Sequence, residues 1–204
     1  MVKIIKPKSA ATIVITKKNK KKLYVLMGKR PDKSRFAPGM WVFPGGKLDK
    51  NDFLTSKKYL TNDKIIKNLS SLKANPPLGE ALIHAAIRET EEETNLRLKN
   101  DDIRDMWVLA RAITPLTRPM RFDTKFFVAP SSSFKGGVKG NGELDKLEYV
   151  EINKSLKLPM FDVTEFILTE IRKRIKNGNE INSNPIFWRY RKQHRLITEI
   201  KVLD

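Results

Sequence analysis

A chain of 204 residues with 41 Lys+Arg against 23 Asp+Glu, net charge +18 and 40% hydrophobic content fits one good-sized globular domain. It has no cysteine, which excludes disulfides, thiolate metal sites and cysteine nucleophiles. No apolar run reaches the length of a membrane span, and MVKIIKPKSAAT is too short in its apolar part for a signal peptide; a cytoplasmic protein with no membrane span is the expectation.

Ser9 to Thr16 and Lys22 to Arg30 read as two strands, rich in β-branched and aromatic residues, joined by the Lys-rich turn KKNKKK. That lysine run reads either as a solvated surface or as attraction to a polyanion such as a phosphorylated small molecule, RNA or anionic lipid. PDKSRFAPGMWVFPGG is a loop punctuated by Pro and Gly, with a short strand MWVF inside it. Residues 50–78 are polar and Lys-rich and read as an insertion with one short helix over DKIIKNLSSL. NPPLG then starts a helix running from about Leu78 to Thr94. Met106 to Ile113 and Asp123 to Pro130 read as strands, followed by a Gly-rich loop and a strand near LEYVEI. Phe161 to Ile175 is an amphipathic helix, with Val163, Phe166, Ile167, Ile171 and Ile175 at helical spacing. The basic tail at about 178–204 adds one or two strands. Strands dominate and two good helices flank them, so an α/β architecture is expected, with a mixed sheet packed between helices.

The acidic stretch RETEEETNL stands out in so basic a chain. On a helical wheel at about 100° per residue, with Glu89 at zero, Glu93 falls near 40° and Glu92 near 300°. The three carboxylates share one narrow face, with the small Ala81 and Ala85 one and two turns earlier. Ile83, Ile87, Thr90 and Leu82 define the adjoining core face, while Glu80, His84 and Glu91 point elsewhere. Like charges at these spacings repel. A hard divalent cation reverses that sign, because carboxylate oxygens are the ligands it prefers. The bland alternative is an acidic solvated face.

FPGG (Phe43 to Gly46) before this helix, and Glu80 seven residues ahead of Arg88-Glu89, resemble the box of the Nudix hydrolases. Arg88, Glu89, Glu92, Glu93 and Leu96 are in place. Thr90 stands where an aliphatic residue is usual, and Asn95 where Gly is usual. The first half of the box, GGKLD, is separated from Gly79-Glu80 by the insertion. Glu80 is read as the first box acid, Asp49 as the acid of the Gly-Gly turn, and Asp52, five residues after Gly46, as a decoy. The resemblance implies a single Nudix-like α/β/α sandwich with a mixed sheet over residues 1–204. It further implies Mg²⁺- or Mn²⁺-dependent hydrolysis of a nucleoside diphosphate linked to another moiety. Glu92 and Glu93 would be the primary metal ligands and Glu89 a third ligand or base. Arg88 would orient a carboxylate, and Gly45 would offer a carbonyl to a metal.

Arg30, Arg35, Gly39 and FPGG keep the spacing seen in the coenzyme A diphosphatase group of the same family, although Leu26-Met27-Gly28 and Pro31 depart from its signature. That resemblance implies CoA or acyl-CoA as substrate. Two arginines suit the extra 3′-phosphate of CoA, since guanidinium groups bind phosphate bidentately. The alternative is that both brace the loop, on carbonyls or Asp32. TPLTRPMRFDTKFF is a second such segment. Arg121 and Phe122 are candidates to bind phosphate and stack on adenine, against a structural Arg121–Asp123 bracket. Glu143 and Glu148 are candidate acids from a mobile loop. His84 reads as a helix-surface residue. Two further readings stay open. One is a Nudix enzyme acting on ADP-ribose, NADH or dinucleoside polyphosphates. The other is an RNA-binding or RNA 5′-end processing protein using the basic aromatic tail FWRYRKQHR. In that tail Trp188, Tyr190 and Lys192 share one strand face and Phe187, Arg189 and Arg191 the other, a pattern that suits a homodimer edge equally.

Overall fold

Alternating buried residues build a central sheet whose two faces are both covered. The structure, a computed structural model, describes residues 5–55, 58–178, 183–191 and 194–202. In chain order the elements are β1 (Lys8–Asn19), β2 (Lys22–Lys29), β3 (Trp41–Val42), β4 (Gly45–Lys47), α1 (Asn51–Leu54), α2 (Asp63–Ser71), α3 (Pro76–Thr94) and β5 (Arg97–Leu98). Then follow β6 (Trp107–Ile113), β7 (Phe122–Pro130), β8 (Phe134–Lys135), β9 (Lys146–Glu151), α4 (Ile152–Ser155), α5 (Asp162–Lys176), β10 (Ile186–Arg191) and β11 (His194–Glu199).

The main sheet runs β11-β10-β6-β7-β1-β2-β3, with β4 against β1 and β9 against β2. The β1–β7 and β6–β10 pairs are parallel and the others antiparallel, so the sheet is mixed. One face carries Ala11, Ile13, Ile15, Leu26 and Phe127 under Leu69 of α2 and Leu82, Ala85 and Ala86 of α3. The opposite face carries Val14, Val25, Met27, Phe126 and Val128 under Ile167, Leu168 and Ile171 of α5. Each Val, Leu, Ile, Met or Phe side chain buried here contributes about 1.5–3 kcal/mol relative to exposure. Phe126 and Phe127 are thus both core, on opposite faces, as the period of a strand requires. The result is the α/β/α sandwich expected from the sequence.

The Nudix-like helix α3 begins two residues earlier than the pattern suggests. Pro76 and Pro77 occupy its first positions, where a missing N–H costs nothing, and the Asn75 side chain accepts the Leu78 N–H. Asn95 closes it in the left-handed conformation at φ 59°, donating its N–H to the Glu91 carbonyl. The insertion holds two helices rather than one. The second, α2, is capped by Asn62, whose side chain accepts the Ile65 N–H at 3.0 Å, and buries Ile65 and Leu69 on the α3 side of the sheet.

The tail forms the β10–β11 hairpin at the sheet edge. Its faces alternate as expected: Trp188 packs edge-on against Tyr190 at 5.1 Å, and Arg189 lies 5.0 Å from the Phe187 ring. Trp188 is only 2% exposed and belongs to the α5-side core, so it offers no free stacking platform. Lys192 lies outside the described residues.

Candidate active site

Strand β4 and the C-terminal half of α3 meet at the glycines of FPGG. β4 lies antiparallel to β1, with Gly45 opposite Thr12 and Gly46 opposite Ala11. The Gly45 N–H donates to Glu93 Oε2 at 2.9 Å. A Cβ on Gly46 would overlap the Glu89 carboxylate, and one on Gly45, whose φ is +154°, would overlap the Thr12 hydroxyl. Both glycines therefore let the backbone approach carboxylates and strand more closely than any side chain permits.

Arg88 is the hub of the acidic face. Its Nη1 donates to Glu89 Oε1 at 2.9 Å and to Glu92 Oε2 at 3.1 Å. Its Nε and Nη2 reach Asp52 Oδ1 and Oδ2, each at 3.0 Å, a bidentate fork, and Nη2 also reaches the Lys47 carbonyl. Asp52 is 4% exposed and accepts the Asp49 N–H at 2.8 Å. The sequence reading set Asp52 aside and chose Glu80; the geometry reverses this. Glu80 is largely exposed and pairs with Lys58 at 3.6 Å, away from Arg88. Asp49 is exposed and only 3.9 Å from Arg88. The signal was present in the spacing of Asp52 five residues after Gly46.

Burial, followed by repulsion from Glu89 and Glu143, pushes the Glu93 carboxyl up to about 7, against the pull of the Gly45 N–H and Arg30. Burial also pushes Glu89 up, opposed by Arg88 and reinforced by Glu92 and Glu143. Among the described residues no three Asp, Glu, His or Cys side chains converge into a closed metal shell. A Mg²⁺-type ion does not require one, because it binds through one or two carboxylates, several waters and substrate phosphates. The buried Glu93, raised in part by the neighbouring Glu89, and Glu92 at the surface beside them fit such an ion.

The outer residues divide. The Arg30 Nε donates to the Phe36 carbonyl at 3.0 Å and its Nη2 to Ser34 Oγ at 3.1 Å, so Arg30 braces its own loop while still acting on Glu93. Asp32 pairs with Lys29 and leaves Arg30 alone. Arg35 is exposed, and no hydrogen bond or ion pair ties its side chain to another described residue. Phe36 packs on Phe122 at 5.6 Å and Phe161 at 5.8 Å, a half-buried aromatic row with Arg30 5.9 Å from the Phe36 ring. Arg121 is 8% exposed and donates to the carbonyls of Thr114 and Ile5, so its guanidinium holds the N-terminal segment. The alternative Arg121–Asp123 bracket does not form either. Asp123 pairs instead with Arg111 Nε at 2.8 Å and with the buried Lys125 at 3.0 Å. Of the two loop acids, Glu143 acts electrostatically on Glu89 and Glu93, whereas Glu148 sits on β9 beside Lys146 at 2.9 Å. His84 is half-buried against the Tyr59 ring at 4.9 Å.

The family model of the NUDIX domain matches residues 6–166. The chain belongs to the Nudix family. The fold is similar to that of a NUDIX hydrolase from Alicyclobacillus acidocaldarius, at TM-score 0.65 and 22% identity, covering 81% of this chain and 91% of that one. A MutT protein from Bacillus halodurans is similar at TM-score 0.55 and 16% identity, covering 93% and 97%. The NUDIX domain of Shewanella oneidensis NrtR, complexed with ADP ribose, is similar at TM-score 0.58 and 13% identity, covering 84% and 90%. Among curated protein sequences none matches the chain. As a Nudix hydrolase the protein is a pyrophosphohydrolase acting on nucleoside diphosphate derivatives, a class that uses divalent metal ions. The Nudix box is split after its first acid. Asp52 stands five residues after Gly46 and holds Arg88, and residues 53–75 intervene before α3 begins at Pro76, on which Glu80 faces Lys58 instead. Among the described residues no helix is long and apolar enough to cross a membrane.

Proposed function

We propose that this Nudix hydrolase cleaves the pyrophosphate of CoA or acyl-CoA, releasing 3′,5′-ADP and the corresponding 4′-phosphopantetheine. The observation that carries the reading is the loop Arg30 to Gly46. It keeps the Arg-Arg-Gly-FPGG frame, and its Arg35 guanidinium is free of partners among the described residues. Arg35 and Arg30 are assigned to the extra phosphate, and Phe122, in the row with Phe36, to the adenine face. Arg121, with its donors on the Thr114 and Ile5 carbonyls, ties down the backbone beside Phe122.

In this reading Glu92, Glu93 and Glu89, with the Gly45 carbonyl, hold Mg²⁺ or Mn²⁺ in a protein working in the cytoplasm. When bound, such an ion would supply neutralisation of the pyrophosphate charge and activation of a water. The chain's own part is positional. Arg88 fixes the rotamers of Glu89 and Glu92, the Gly45 N–H fixes Glu93, and Glu143 bears on Glu89 and Glu93 electrostatically from its loop.

The test is product analysis after incubation with CoA, acetyl-CoA, ADP-ribose and NADH in Mg²⁺ or Mn²⁺, with Glu92→Gln alongside. Adenosine bisphosphate formed by the wild type and lost in the variant supports the proposal. Turnover of ADP-ribose or NADH with CoA untouched overturns it in favour of the second reading, for which the ADP-ribose complex of the NrtR domain is the specific precedent. The RNA reading loses its main support with the burial of Trp188. The open β11 edge keeps a homodimer as an alternative for this protein's assembly.

A further inference from the structure

One apolar side chain pins the loop between β8 and β9 to the sheet. Residues 135–146 are exposed or half-buried except Leu144, which is 4% exposed. Leu144 lies over Gly28 of β2. A Cβ on Gly28 would overlap Leu144 Cδ1 and come within 3.0 Å of its Cβ and Cγ. Only glycine leaves that notch open, and Gly28 is one of the positions at which the chain departs from the coenzyme A diphosphatase signature. Leu26, two residues earlier on the same strand face, belongs to the α3-side core. Leu144 therefore docks on the face that carries the acids.

The loop is also tied to the end of α3 and to β2. The Lys139 N–H donates to the Thr94 carbonyl at 2.9 Å, the Asp145 N–H to the Lys29 carbonyl at 2.8 Å, and Asn95 Nδ2 to the Gly137 carbonyl at 3.3 Å. Between these ties Gly140 to Glu143 are exposed. Glu143 thus hangs from a fastened loop, and its charge acts on both Glu89 and Glu93. Repulsion from those two acids drives the Glu143 carboxylate outward. Burial of one leucine side chain outweighs repulsion between carboxylates that water screens.

We propose that Leu144, seated in the Gly28 notch, is a positioning residue that keeps Glu143 beside Glu89 and Glu93 and so adds its charge to their hold on a divalent cation. This rests on the ion-holding role given above to Glu89, Glu92 and Glu93, and is independent of which nucleotide derivative is cleaved.

Mn²⁺ titrated into the substrate-free protein, with the free ion counted by its EPR signal, reads this without turnover. Glu143→Gln should weaken binding about three- to tenfold, the effect of removing one nearby unit charge from a dication in a largely aqueous setting. Leu144→Ala removes no charge and should weaken binding by a similar factor. The double variant should bind no more weakly than Glu143→Gln alone, because one residue acts through the other. Leu144→Met, which refills the notch, should keep wild-type affinity. Gly28→Ala, which expels Leu144 from the other side, should copy Leu144→Ala. Amide hydrogen exchange follows the loop itself. The Asp145 amide should exchange about tenfold faster in Leu144→Ala, while the Asn95 amide, bonded within α3, should not change. A Leu144 that only fills space would lower Tm and leave Mn²⁺ binding untouched. Unchanged Mn²⁺ affinity in Leu144→Ala and Gly28→Ala, additive losses in the double variant, or an unchanged Asp145 exchange rate overturns the proposal. A wild type that binds no Mn²⁺ sinks the ion site, and with it this role for Leu144. A wild type that binds Mn²⁺ with an affinity indifferent to Leu144 sinks the role alone.

Discussion

Replacing Asp52 by alanine tests which acid belongs to the catalytic box. Asp52 is 4% exposed, and it takes two donors of Arg88 at 3.0 Å each and the Asp49 N–H at 2.8 Å. Breaking a buried ion pair by removing one partner costs about 3–5 kcal/mol. Arg88 is partly exposed and keeps Glu89 and Glu92, so the charge is not left bare. The cost therefore falls nearer the value of charged hydrogen bonds, about 2–3 kcal/mol. For a chain of this size that is a fall of roughly 4–12 °C in Tm. Activity should fall further than stability explains, by about 10–100-fold, because the partner that orients Arg88, and through it Glu89 and Glu92, is gone. Glu80→Gln is the control. Its exposed pair with Lys58 at 3.6 Å predicts a change within about 0.5 kcal/mol. Thermal melts and steady-state rates of both variants decide the matter. Activity that survives Asp52→Ala but collapses in Glu80→Gln refutes the assignment of Asp52.

In EDTA, Glu93 makes the metal-free protein less stable as pH rises. Its folded-state pKa of about 7 lies above the ordinary 4.5, so its protonated form favours folding below 4.5 and that advantage is lost by pH 7. Urea melts at pH 5 and 7.5 should differ by up to about 3 kcal/mol from this group, and Glu93→Gln should remove that share. Gly46→Ala should fold yet lose about 100-fold in kcat, since the added methyl displaces Glu89; a variant with unchanged kcat would mean that Glu89 has room to move. Asp123→Asn should cost about 3–5 kcal/mol in denaturant melts, because Arg111 and the buried Lys125 then share no anion. Lys125→Met keeps the Arg111–Asp123 fork and should be nearly neutral or stabilising in the same melts.

Local chemistry wrote much of this protein into its sequence. The β-branched runs of β1 and β2, the Asn95 stop of α3 and the shared face of Glu89, Glu92 and Glu93 depend on neighbours within a turn or two and are where the sequence implies, while the start of α3 moves from about Leu78 to Pro76. The adjacent Phe126 and Phe127 of β7 had to face opposite ways because a strand alternates. What the sequence left open was partner choice across the insertion. Glu80 and Asp52 both satisfy a spacing rule to the box; only the packing of α1 against α3 brings one of them to Arg88 and leaves the other at the surface. Asp123 likewise finds Arg111 diagonally across the β6–β7 pair, two residues from Lys125, the register partner of Arg111, while the Arg121 guanidinium is taken by the Thr114 and Ile5 carbonyls. Trp188 looked like a ligand platform and is core, because the hairpin it belongs to lies beside β6 under α5. Spacing along the chain determines which groups can share a face; only the folded packing determines which of them touch.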